Sequence, residues 1–465
     1  MSQMIMKKLT ILVKNINIIQ AMLLIMILIL SFSLPLFGTE ESPTKYFKLD
    51  NGLQVLFYER HTLPIINLVF AVNVGSKDET EETNGLVHIL EHLILFRGTE
   101  FRSESEISQD IRRHGAYFNA HTDRDLALFE MSLPSEHLDF ALQNQKEVIF
   151  HLKLTQEELD KEKKVILEEL SQIEDDPLKY ATSLVYQNLF TNHPYQKPIP
   201  GRKEIIEEAT VEQIENFYQK YFDPANLALA IVGDFRSEEA EKKVKDIFGA
   251  LESKSVTPSK FEKIQNLEKT IEVEKGMDVN QAYLVIGMLG PDYNHPDQYA
   301  IDLLTYILGQ GVNPMLNIPL RERRRLVHSA TMSYDSLKYG GAILIYITCE
   351  EKHIKMATNK TIQFLKNTQS ENYSKDDYYR DERFFSVDYL ASSKNQLKLA
   401  FQQSQEKGLN LAMSLARFML LNEENIRGSF TDNIEKISSS DLRRIAGEYL
   451  SRGKYVIVSI LPKKK

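Results

Sequence analysis

His88-Ile-Leu-Glu91-His92 constrains this chain more than any other stretch. On a helix, residues three and four apart are stacked neighbours, so both imidazoles and the carboxylate fall on one face. Two neutral imidazoles can hold one divalent ion, and Glu91 beside them is placed to take a proton from a water that the ion acidifies. The flanking run, residues 85–96, is largely apolar, so the alternative is a pair of core histidines on a buried helix. Buried imidazoles bracketing a buried acid need polar partners, and a metal supplies them.

Two histidines leave room for a third protein ligand. Residues 155–173 open with Thr155 and Glu158 in a capping-box pattern and continue as a helix whose apolar stripe is Leu159, Ile166, Leu170 and Ile173. At roughly 100° per residue, Glu162 and Glu169 lie about 20° apart on the border of that stripe, whereas Glu168 turns about 100° away toward solvent. Periodicity therefore selects Glu169 as ligand and places Glu162, seven residues earlier, as an acid supporting the site. A helix so rich in Lys and Glu carries exposed acids in any case, and that remains the competing reading.

From this point the chain resembles the pitrilysin family of inverzincin peptidases, which includes the mitochondrial processing peptidases and insulin-degrading enzyme. The likeness rests on His88-x-x-Glu91-His92 followed by Phe96-Arg97-Gly98-Thr99, on Gly115-Ala-Tyr-Phe-Asn119-Ala120-His-Thr122, and on Glu162-x6-Glu169 with Asp176-Pro177. It continues through His193-Pro194-Tyr195, Pro200-Gly201, Phe217-Tyr218, Tyr221, Asn226 and Ile231-Val232-Gly233-Asp234. The resemblance implies one zinc per chain held by His88, His92 and Glu169, with Glu91 as general base and Glu162 in support. It also implies a clamshell that pairs a peptide or unfolded segment with a sheet edge at Asn119-Ala120. Relatives present an Arg and, seven residues on, a Tyr toward the substrate; here these positions are Arg321 and His328, with Arg325 where Gly is common. A zinc set without the Tyr fits a heterodimer whose other chain lacks the zinc motif. The alternatives are a homodimer in which His328 replaces Tyr, or a structural subunit of the same fold with no activity.

The rest of the chain sets the frame. Its 465 residues are 43% hydrophobic and 26% charged, enough for two or three domains with large cores. A net charge of −9 argues against nucleic acid as the main partner, and one cysteine, Cys349, excludes an intramolecular disulfide. Residues 1–38 carry Lys7, Lys8 and Lys14, no acid, and an apolar stretch, which reads as a signal peptide or membrane anchor. That predicts an exported protein, periplasmic or anchored to the outer face of the cytoplasmic membrane. Thr210-x3-Ile214-x2-Phe217-x3-Tyr221 is echoed by Ser438-x3-Leu442-x2-Ile445-x3-Tyr449, each a capped helix running into a strand. The polar stretch 252–260 separates the copies. The expected fold is α+β: two homologous domains in tandem, 44–250 with the metal and 269–465 without, each a mostly antiparallel sheet packed with helices. In the second copy the counterpart of the motif helix is 297–308, which has no His.

Overall fold

Ile65–Val72, sequence IINLVFAV, is apolar on both of its faces, the pattern of a strand covered above and below. It is the third strand of the chain, and both faces are indeed buried. A computed structural model describes residues 44–254, 256, 259, 261–369, 385–421, 430–451 and 453–463. The predicted leader, 1–38, lies outside the described residues, as does part of the predicted linker.

Six strands form the first sheet: β1 Thr44–Lys48, β2 Gln54–Glu59, β3 Ile65–Val72, β4 Tyr117–Thr122, β5 Ala127–Pro134 and β6 Leu227–Gly233. Their order is β1-β2-β6-β3-β5-β4. The second sheet contains β7 Ile271–Met277, β8 Ala282–Gly290, β9 Ser329–Leu337, β10 Gly340–Cys349 and β11 Val456–Pro462, in the order β7-β11-β8-β10-β9. Setting β1 aside, the two wirings are identical. In each, the first and last strands of the half run parallel, β2 with β6 and β7 with β11, and the other registered pairs are antiparallel. The duplication read from the two capped helices thus extends through the whole fold. Thr210 with Gln213 and Ser438 with Asp441 both close capping boxes, on Val211–Tyr221 and Ser439–Ile445.

One face of each sheet packs on helices of its own half. Leu68, Phe70, Phe129 and Met131 meet Leu90 and Leu93 of α1 (Leu86–Phe96) and Ile166 of α2 (Gln156–Asp175). The other face is covered by the opposite half. Ala181, Val185 and Leu189 of α3 (Pro177–Leu189) pack on Val285, Leu344 and Val458 of the second sheet. Ala412, Leu415, Ala416 and Met419 of α5 (Gly408–Leu421) pack on Val69, Ala71, Ala228 and Ala230 of the first. A glycine sits at each crossing. A Cβ at Gly287 would meet Val185 Cγ1 at 2.2 Å, and one at Gly408 would meet Asn67 Nδ2 at 2.3 Å, so only glycine lets the elements approach so closely. The counterpart of the motif helix, α4 (Gln298–Thr305), is shorter than 297–308 and widens into a π-helical turn at Tyr306–Gln310.

Candidate metal centre

Apolar side chains fix α1 from beneath: Leu86, Val87, Ile89, Leu90, Leu93 and Ile94 are all buried, which leaves His88, Glu91 and His92 facing α2 and the end of β4. The helix starts at Gly85, whose φ of 115° is left-handed, and a Cβ there would meet Ile206 Cδ1 at 2.4 Å. Glu79 reaches back to that start, accepting from Val87 N at 2.9 Å and Asn84 Nδ2 at 2.7 Å. A buried acid holding the first turn of a ligand helix was not anticipated from sequence.

The three predicted ligands converge. Glu169 Oε2 is 3.4 Å from His92 Nε2 and 3.7 Å from His88 Nε2, and the three donor atoms all lie within 4.8 Å of one another. Tetrahedral zinc with bonds of about 2.0–2.1 Å puts its ligands roughly 3.3 Å apart, so this donor set, two imidazoles and a carboxylate, fits that ion. Glu168, its neighbour, is exposed.

Each imidazole has its own electrostatics. His92 turns Nδ1 to Glu162 Oε2 at 2.9 Å, and Glu162 Oε1 is gripped by the Arg97 guanidinium, with Nε at 2.5 Å. Burial alone would raise the Glu162 carboxyl, but the hydrogen bond from His92 and the charge of Arg97 outweigh it and hold it below the usual range. Burial likewise opposes charge on His92, but the Glu162 hydrogen bond and nearby carboxylates win and raise it. His88 lacks such an acid: burial, then the neighbouring His92, push it down to about 4, against the Pro200 backbone. It is therefore neutral, the form that ligates. Glu91, 9% exposed, is raised by burial, while Thr122, His92 and His121 pull the other way.

Asn119 and Ala120 lie in β4, which pairs with β5 and, among the described residues, forms the rim of the first sheet. Its last residue, Thr122, stands beside Glu91. Arg321 and His328 are both exposed in the second half; no hydrogen bond or ion pair joins either to the metal group among the described residues. The His328 backbone donates to Thr348 O at 2.7 Å. Arg325 has φ of 51°, so a side-chain residue here takes the left-handed conformation that glycine adopts freely. Arg97 was visible in sequence only as part of a resemblance; its position just past the end of α1, opposite an acid, is what gives it a role.

A family model described as Insulinase (Peptidase family M16) matches residues 55–203, and one described as Peptidase M16 inactive domain matches 208–381. The chain belongs to the M16 peptidase family. Within this M16 chain, the group with ligand geometry among the described residues lies in the first half. An uncharacterized zinc protease, YmxG of Bacillus subtilis, is 28% identical over 306 residues, 65% of this chain and 73% of that one. The zinc protease PqqE of Helicobacter pylori is 26% identical over 421 residues, 89% and 92% of the two chains. Among solved structures, a protease from Helicobacter pylori superposes with a TM-score of 0.82 at 23% identity, covering 90% of this chain and all of that one. A chain of Complex III2 from Candida albicans has the same fold, with a TM-score of 0.72 at 17% identity over 90% of this chain and 96% of that one.

Proposed function

We propose that this M16 chain is a zinc endopeptidase acting on peptides or unfolded polypeptide segments. The observation that carries the reading is the convergence of His88, His92 and Glu169 on one point, with Glu91 alongside and the open rim of β4 next to it. Two relatives being named zinc proteases supports it.

Bound zinc would supply Lewis acidity, polarising the scissile carbonyl and lowering the pKa of a water. Glu91, alongside the three donors, would be the residue that accepts a proton from the attacking water and returns it to the leaving amine. Glu162 holds His92 Nδ1, which leaves Nε2 as the atom that would face a metal. The β4 rim binds an extended segment through backbone hydrogen bonds, which reads conformation more than sequence.

The reading includes export, on the strength of the apolar leader at 1–38, to the periplasm or the outer face of the membrane. It also includes a second chain. Arg321 and His328 are exposed, and His328 stands where relatives carry a Tyr, so a homologue without the zinc motif is the proposed partner, with a homodimer as the other arrangement. Purified chain is tested for zinc content and peptide turnover, alone and with such a homologue. One zinc per chain with turnover supports the reading; a chain that binds zinc in neither condition and cleaves nothing is a structural subunit instead.

A further inference from the structure

Three consecutive charged residues, Asp123, Arg124 and Asp125, make the turn from β4 to β5, and each is tied to a residue or backbone that belongs to, or packs on, the second half. Asp123 pairs with Arg417 of α5. Arg124 lies 3.4 Å over the ring of Tyr186, on the helix α3 that covers the second sheet, and the Tyr186 hydroxyl donates to Asp335 of β9. Asp125 Oδ2 accepts from Lys338 N at 2.9 Å, and its Oδ1 accepts from the Tyr195 hydroxyl at 2.7 Å, which itself accepts from Tyr339 N at 3.2 Å. The first half holds the same turn from behind: Lys77 Nζ donates to Asp125 O at 2.7 Å, Lys77 N to Arg124 O at 3.1 Å and Ser76 N to Asp123 O at 3.2 Å.

Drawing this much charge partly out of water, with Asp125 buried and Asp123 and Arg417 half-buried, is a poor way to gain stability, because desolvation offsets much of the attraction. What a saturated polar network gives is a single geometry. The geometry in question is that of β4, because Thr122, beside Glu91, is the residue directly before the turn.

We propose that Arg417 is a positioning residue: through Asp123 it fixes the end of β4 against Glu91, so the second half sets the strand on which a substrate pairs. This rests on the peptidase reading for its functional meaning, but the brace itself is testable without it.

The test uses the full chain and the variants Arg417→Met, Arg417→Lys and Asp123→Asn. The last keeps an acceptor for the turn's own bonds, Asp123 Oδ1 to Asp125 N at 2.6 Å and Leu126 N at 2.7 Å, and replaces the oxygen that pairs with Arg417 by an amide NH2, removing both the charge and that acceptor. In Arg417→Met and Asp123→Asn, hydrogen exchange of the β4 amides that bond β5 should speed up about tenfold, with α1 exchange and zinc affinity unchanged. On an extended peptide, KM should rise about fivefold with a smaller change in kcat, and Arg417→Lys should recover most of both. Wild-type β4 exchange in both charge-removing variants, or faster exchange spread evenly through both sheets, would overturn the brace. Local β4 exchange in a chain whose wild type cleaves nothing would uphold the brace and sink the peptidase reading.

Discussion

His92 turns its Nδ1 toward Glu162 at 2.9 Å, which leaves Nε2 as the atom facing Glu169. The tautomer of a candidate ligand is thus set by a residue outside the group of three donors. Replacing Glu162 by Ala should lower zinc affinity by about 10–100-fold while the chain stays folded. Competition against a chromophoric chelator measures this directly, and an unchanged affinity would reduce Glu162 to a packing role.

On the proposed reading, Glu91 handles protons and does not ligate. Glu91→Gln should therefore keep the metal and lose at least ~10²-fold of peptide turnover. Loss of zinc from this variant, or full turnover, would refute the assignment.

Neighbouring acids on α2 should behave differently. Glu169→Gln is expected to weaken zinc binding strongly, because it removes a charged donor 3.4 Å from His92 Nε2, whereas exposed Glu168→Gln should titrate like wild type. The reverse ranking would mean that the helix presents another face.

A pH dependence of stability follows from His193, far from the metal ligands in sequence. Its ring is buried, with Nδ1 accepting from Tyr195 N at 3.3 Å, and burial, followed by the charges of Lys197 and Lys77, pushes it down to about 4 from its usual 6.5. The unfolded chain takes up this proton first, so the contribution of His193 is complete above 6.5 and is lost as pH falls from there toward 4. Denaturant midpoints measured across that window should decline on acidification, and less steeply in His193→Gln. Equal slopes in the two proteins would show that other groups carry the effect.

The halves should not fold separately. Residues 44–254 alone would leave Val69, Ala71, Ala228 and Ala230 without α5, and α3 without the second sheet. Expressed singly, this piece should be insoluble or bind a hydrophobic dye, and co-expression with the remainder should restore solubility. A monomeric, cooperatively melting fragment would disprove the dependence.

Much of this was legible in the sequence because it is local and periodic. The motif helix, the side of α2 that carries Glu162 and Glu169, and the capped helix repeated at Ser438 all follow from spacing and caps within a few turns. The duplication of the sheets follows from that repeat. What spacing does not encode is the partner of a face. Nothing in Ala181, Val185 or Leu189 of α3, or in Ala412 and Leu415 of α5, says that they pack on the sheet of the other half. The roles of Arg97 and the 123–125 turn were equally hidden, since each comes from a contact that is remote in sequence. Asp123 and Arg417 are 294 residues apart.

The crossed helices also decide how this chain can move. Swinging the two sheets apart would strip α5 from one and α3 from the other at the same moment, exposing two apolar faces for a single opening. The two sheets are thereby tied to each other rather than hung on a hinge, and on the peptidase reading a gap that admits a polypeptide would have to form between one chain and another.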